Sequence, residues 1–142
     1  MKKRGFTLVE IMIVVAIIAL LAAIAIPSLL NARRTANDAS ARANLRTLCT
    51  EAETFSAGAG DGAYYADPAA FIGASKAAAR YCDAASATST CAQAAGCGGY
   101  VYTCAMAPAA YKLTAQCVGP QTGTKLWTIT TGGETTEAGC GK

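Results

Sequence analysis

The 142 residues amount to one domain by length, but 53% are hydrophobic and only 7% aromatic, so a soluble core here is built from small side chains and needs covalent help. The formal net charge is +3, and Lys2, Lys3 and Arg4 account for all of it; the neutral remainder gives no electrostatic ground for a nucleic-acid partner. There is no histidine to serve a Ser or Cys nucleophile, the acids form no paired-carboxylate motif, and "AGAGDG" lacks the lysine of a phosphate-binding loop, so no catalytic residue, cofactor or enzyme activity is expected.

The N-terminus opens on a short basic stretch followed by an apolar run. From Phe6 to Ile26 there are 21 residues, which as a helix span about 31 Å and match a hydrocarbon core of ~30 Å. Lys2, Lys3 and Arg4 hold the N-terminus in the cytoplasm and direct everything after Pro27 outward. A cleaved secretory signal peptide is the alternative, but the run is long for one, and Glu10 places a carboxylate near its start. An acid at the centre of a membrane helix costs roughly 2.5–3.5 kcal/mol, so an intramembrane carboxylate calls for a partner; the competing view is that Glu10 snorkels to the headgroups.

The segment "KKRGFTLVEIMIVVAIIALLAAIAIPSLLNARRTAND" resembles the N-terminus of type IV prepilins and of the pseudopilins of type II secretion systems. The resemblance covers roughly the first 50 residues and rests on the basic leader, Gly-Phe-Thr-Leu-Val-Glu and the apolar helix that follows. It implies cleavage between Gly5 and Phe6 by a prepilin peptidase, N-methylation of Phe6, and a recognition segment completed by Thr7, Leu8, Val9 and Glu10. Glu10 would then pair with the new terminal amine of a neighbouring subunit as a registry device for assembly. Opposite charges withdrawn from water gain from such pairing, whereas either alone is costly. Pro27 matches the family's helix-perturbing proline.

Pro27 removes a backbone donor, which predicts a kink or a locally melted stretch at 23–28. Beyond it, no Gly or Pro occurs between Asn31 and Phe55, and Ala41, Leu45, Leu48, Ala52 and Phe55 recur at helical spacing, an apolar stripe that packs the exported half of the helix on a globular partner. Arg34, Asp38 and Arg42 stand four apart and are expected to form a ladder of exposed ion pairs. The glycines of "SAGAGDG" end the helix. Asp67-Pro68 opens a short helix, with Asp67 as N-cap, through "AAFIGASKAAARYC", where Gly73 is a weak point.

"GGYVYTCA", "AYKLTAQCV" and "TKLWTIT" read as three antiparallel strands, and the tail "GGETTEAGCGK" as a turn or an added edge strand. Tyr64, Tyr65, Phe71, Tyr81, Tyr100, Tyr102, Tyr111 and Trp127 are expected in core and cross-strand packing rather than on a stacking surface. The fold class is thus α+β, a long N-terminal helix packed on a small antiparallel sheet. Its divisions are a leader at 1–5, a transmembrane and filament-core half at 6–30, an exported half at 31–56, a connecting region at 57–98, and the sheet with its stapled tail at 99–142. The order of long helix, loop and meander is again similar to pilins.

Cys49, Cys82, Cys91, Cys97, Cys104, Cys117 and Cys140 contain no C-x-x-C pair, so disulfides in an oxidising compartment are favoured over a metal site. Seven is odd, leaving at least one thiol free or paired between chains. Cys104 and Cys117 lie on successive strands and can bridge them if the register suits. Cys91 and Cys97 can close a small loop. Cys49 pairs with Cys82, is the odd thiol, or is simply a buried small hydrophobe. The resemblance implies a disulfide at Cys140 that staples the tail. Some major pseudopilins hold calcium, but Glu134 and Glu137 lack the Asp-rich pattern, so no metal is expected.

The function implied is a structural pilin subunit of a type IV pilus. It would be held in the inner membrane as a prepilin pool, with the assembly machinery there and the peptidase as partners, and polymerised into a helical homo-oligomer at the cell surface. The alternatives are a pseudopilin in a periplasm-spanning filament and, from another class, a membrane-anchored exported binding module.

Overall fold

The computed structural model describes residues 5–82, 98–119 and 121–140. The chain divides into two units, Met1–Arg33 and Arg34–Lys142. Helix α1 runs Leu8–Ala57. In the first unit its apolar side chains are bare: Phe6 is 83% exposed, and every large hydrophobic residue from Leu8 to Leu30 is exposed. Its most apolar stretch has a mean hydropathy of 3.0, and α1 is long and apolar enough to cross a membrane. Residues 23–28 are helical throughout and Pro27 lies inside α1, so the melted stretch is not found. Proline withholds only the amide that the Ala23 carbonyl would accept.

In the second unit α1 buries Ala41, Leu45, Leu48 and Ala52. These residues follow the spacing of the expected stripe, and Phe55 continues it, partly buried against the core. Helix α1 stops where the glycines begin. Gly58 bonds back to the Thr54 carbonyl at 3.1 Å, Gly60 to Phe55 at 2.7 Å and Gly62 to Ser56 at 2.9 Å, so the last turn's carbonyls are capped by the loop itself. Asp61 adopts φ 48°, a left-handed conformation that Asp tolerates better than most side chains.

The expected single short helix is two, α2 at Pro68–Ala74 and α3 at Lys76–Tyr81. Asp67 caps α2, accepting from the Ala70 amide at 2.7 Å with Pro68 in the first turn. The break falls at Ser75 and not at the weak Gly73. Ser75 is extended, and its hydroxyl accepts from the Ala78 amide at 2.8 Å and caps α3.

Four strands follow, β1 Tyr100–Ala107, β2 Ala110–Cys117, β3 Lys125–Thr130 and β4 Glu134–Gly139, forming an antiparallel meander in that order. The tail is therefore an edge strand. Glycines at positive φ, Gly132 and Gly133, make the tight return into β4. Alternation puts Tyr100, Tyr102, Cys104 and Met106 of β1, Tyr111, Leu113 and Ala115 of β2, and Trp127 and Ile129 of β3 into one core with the α1 stripe and Phe71, while β4 is exposed throughout. Tyr65 joins this core and Tyr64 and Tyr81 pack partly against it, so the aromatic residues are packing groups.

Two disulfides are described. Cys82, which ends α3, is joined to Cys104 on β1, and Cys117 at the end of β2 is joined to Cys140 after β4. A Cys104–Cys117 bridge does not form because the register opposes Cys104 to Leu113 and Cys117 to Tyr100. Cys49 is a free, half-buried thiol and does not pair with Cys82. Cys91 and Cys97 lie outside the described residues.

Candidate functional site

Two places carry organised polar chemistry. The first is the start of α1. Thr7 donates to the Glu10 carboxylate twice, from its amide at 2.9 Å and its hydroxyl at 2.7 Å, both to Oε2, while the Glu10 amide donates to Thr7 Oγ1 at 3.2 Å. This is a capping box: two of the first-turn donors left unpaired by helix geometry are satisfied reciprocally. The sequence reading took Thr7 only as part of a recognition segment. The spacing Thr-x-x-Glu before an apolar run was the signal that could have identified its local role. Chemically, the box holds Glu10 in place at an exposed helix end, with Oε1 unbonded among the described residues, at the start of a segment of exposed apolar side chains. Gly5 and Phe6 precede the box as exposed, non-helical backbone, which an enzyme can reach.

The second place is the seam between the Arg34–Ala57 part of α1 and the sheet, pinned at both ends by a carboxylate. Near one end Asp38 accepts from the Thr124 amide at 3.0 Å, from the Thr124 hydroxyl at 2.6 Å and from the Tyr100 hydroxyl. The expected ladder with Arg34 and Arg42 is thus not formed: the sheet takes the carboxylate. Arg34 Nη2 instead donates to Gln121 Oε1 at 2.9 Å, and the Arg42 guanidinium lies 5.2 Å from the Trp127 ring centre. Partial burial pushes the Asp38 carboxyl upward, but the Thr124 and Tyr100 hydrogen bonds and the charge of Lys125 outweigh it and leave its pKa lowered. Burial and the Asp38 bond push the Tyr100 phenol well above its ordinary value. Gly123 makes this approach feasible, because a side chain there would collide with the Tyr100 ring and hydroxyl.

At the other end Glu53 accepts from the Tyr111 hydroxyl at 2.6 Å, the Tyr64 hydroxyl at 3.0 Å and the Gly132 amide at 3.2 Å. The Tyr111 bond is the main reason its pKa is lowered. Cys49 Sγ stands 3.2 Å from the Tyr111 oxygen, which places the free thiol inside this cluster. Between the two pins, Asn44 donates to the Tyr102 hydroxyl at 2.9 Å and the Ser75 hydroxyl donates to Glu51, whose pKa is raised by burial. None of these residues was singled out as functional from sequence, because most of their partners are 58 to 87 positions away and the Ser75–Glu51 bond depends on the break at Ser75. Among the described residues no group of three metal-ligating side chains converges, and Glu137 instead forms an ion pair with Lys125 at 3.1 Å.

Residues 1–26 match the family model described as the prokaryotic N-terminal methylation motif. Over 54 residues the chain is 48% identical to the type IV major pilin protein PilA of Myxococcus xanthus, a stretch that covers 38% of this chain and 24% of that one. Over 35 residues it is 66% identical to the type IV wide pilus major component PilA4 of Thermus thermophilus, covering 25% of this chain and 27% of that one. The matched stretches thus span about a quarter of the length of either relative. No solved structure gives a significant match.

Proposed function

We propose that this chain, whose N-terminus carries the prepilin-type N-methylation motif, is a structural subunit of a type IV pilus, cut between Gly5 and Phe6, N-methylated on Phe6 and polymerised through the apolar part of α1. The observation that carries the reading is a bare, membrane-length apolar helix with a single carboxylate fixed at its start, next to the motif. The similarity of the same segment to two major pilus subunits supports it and favours a pilus over a pseudopilus.

The physical route is as follows. In the uncut chain Thr7 satisfies part of the Glu10 carboxylate locally, which lowers the cost of keeping the acid at the membrane. Cutting before Phe6 creates an ammonium four residues away. The unused Oε1 can then accept from the terminal ammonium of a neighbouring copy as that copy leaves the bilayer, and the pair fixes the axial register of two helices that otherwise offer each other only greasy, unspecific surface. Apolar side chains from 6 to 30, exposed in one chain, become the filament core. Residues 31 onward are exported, where the disulfides are stable, and the heads form the outer surface. The peptidase and the membrane assembly machinery are the partners this requires.

N-terminal sequencing and intact mass of the protein recovered from cells test the first step. The reading requires a chain that begins at methylated Phe6, with fibres seen by electron microscopy; a chain that starts at Met1 or near Pro27 is incompatible with it.

A further inference from the structure

Charge is strongly polarised along residues 34–67 of the second unit. Between residues 34 and 46 the chain has three arginines and one aspartate, and between 47 and 67 four acids and no cation. The sheet is mixed: Lys125 and Glu137 pair at the Asp38 end, and Lys112, opposite Thr130, lies near Glu134 at the Glu53 end. Lys125 lies beside Thr124 at the Asp38 end, whereas the 3₁₀ turn Thr131–Gly133 that leads to Glu134 lies at the Glu53 end, 15 residues or about 22 Å further along the helix.

Most of the acids are already used. Asp38, Glu51, Glu53, Asp67 and Glu137 all accept hydrogen bonds within the chain. Asp61 and Glu134 are exposed at the Glu53 end and bond nothing through their carboxylates among the described residues. At the opposite end the imbalance is reversed. Arg42, Arg46, Lys125 and Trp127 line an open groove of about 520 Å³. Both Arg42 and Lys125 stand within 5.4 Å of the Trp127 ring centre. The buried side-chain donors left without an acceptor among the described residues are Arg34 Nε and Trp127 Nε1, and both belong to this end; Trp127 is only 5% exposed. Asp38 also lines the groove and Lys125 is paired with Glu137, so cations outnumber acids there without being free of them; Arg46 is the groove cation with no acceptor among the described residues.

We propose that the groove and the acidic end are the two halves of a head-to-tail contact: Arg42, Arg46 and Lys125 of one copy receive the carboxylates of Asp61 and Glu134 from a second copy offset by about 20 Å along the helix direction. The proposal rests on the filament reading, which supplies copies of common polarity displaced along that direction. The contact is heterologous and does not close on itself, so it repeats along a polymer.

The test uses full-length chain in producing cells, with filaments sheared off and pelleted at graded ionic strength. Arg46 is exposed and its side chain has no bond within the described residues, so Arg46→Glu leaves the head intact. Its expected effect is a two- to five-fold larger unpelleted fraction at about 0.1 M salt for each pair lost, an effect that fades at 1 M. Adding Glu134→Lys to Arg46→Glu should restore pelleting, and Asp61→Asn, which keeps the left-handed turn accessible, should weaken it alone. Wild-type stability in Arg46→Glu, failure of the swap to restore, or unchanged pelleting with loss of bound double-stranded DNA overturns the proposal, the last in favour of a polyanion in the groove. Fibres that persist in all variants leave the filament reading standing while this contact falls; no fibres from the wild type removes both.

Discussion

Glu10→Gln separates two roles that Glu10→Ala would confound. The capping box needs an acceptor three residues after Thr7, and glutamine supplies one, so Glu10→Gln keeps the bonds from the Thr7 amide and hydroxyl and the start of α1 stays in place. It removes the charge. If Glu10 pairs with a neighbour's ammonium inside the filament, removal of one partner strands the other in an apolar setting at a cost of about 3–5 kcal/mol, or about a hundred- to a few-thousand-fold in subunit association. Thr7→Ala does the reverse: the charge stays and an N-cap worth about 1 kcal/mol is lost. Full-length variants would be scored in cells for membrane content by immunoblot and for surface filament by shearing and sedimentation. Membrane content should match wild type in both variants, with filament abolished by Glu10→Gln and reduced several-fold at most by Thr7→Ala. Wild-type filament yield from Glu10→Gln would show that the carboxylate acts through helix capping, and the charge-pairing argument would be wrong.

Leu48 has no exposed surface in the core of the second unit, so Leu48→Ala should lower stability by about 2–5 kcal/mol, measured by urea unfolding of the purified chain in detergent. Paired Cys117→Ser and Cys140→Ser substitutions open a loop with a sequence separation of 23, should cost about 3 kcal/mol, and should make β4 the first site of proteolysis, read by mass spectrometry of the fragments. The lowered carboxyls of Asp38 and Glu53 contribute stability above about pH 4 that is lost as pH falls through their folded values. The raised Tyr100 and Tyr111 phenols contribute stability below about pH 10 that is lost as pH rises. Unfolding midpoints against pH should therefore fall at both extremes, and Asp38→Ala should flatten the acid limb; an acid limb unchanged in that variant would show that Asp38 is not its source.

What was legible in the sequence is what depends on local order. Phe6–Ile26 is long and apolar because each of its residues is, the Ala41-to-Phe55 stripe follows from a 3.6-residue period, the glycines after Ser56 cannot continue a helix, and alternation from Tyr100 to Thr130 marks strands. The break at Ser75 was missed because a serine that caps a new helix looks, in sequence, like a serine within one. The Arg34–Asp38–Arg42 ladder failed for a related reason: spacing of four shows which side chains can meet on one helix, but not that Thr124, 86 positions later, presents an amide and a hydroxyl to the same carboxylate.

The sequence alone determined the existence of a membrane-length helix, its lone acid and the N-terminal methylation motif that spans both, because hydrophobicity and short-range motifs are properties of consecutive residues. Only the tertiary structure decided which cysteines meet, since the strand register places Cys104 opposite Leu113 and leaves it to Cys82. It also decided that Glu53 and Asp38 pin the helix to the sheet, and that cations outnumber acids at one end of that seam. These are outcomes of packing, where a residue's partner is set by the three-dimensional path of the whole chain.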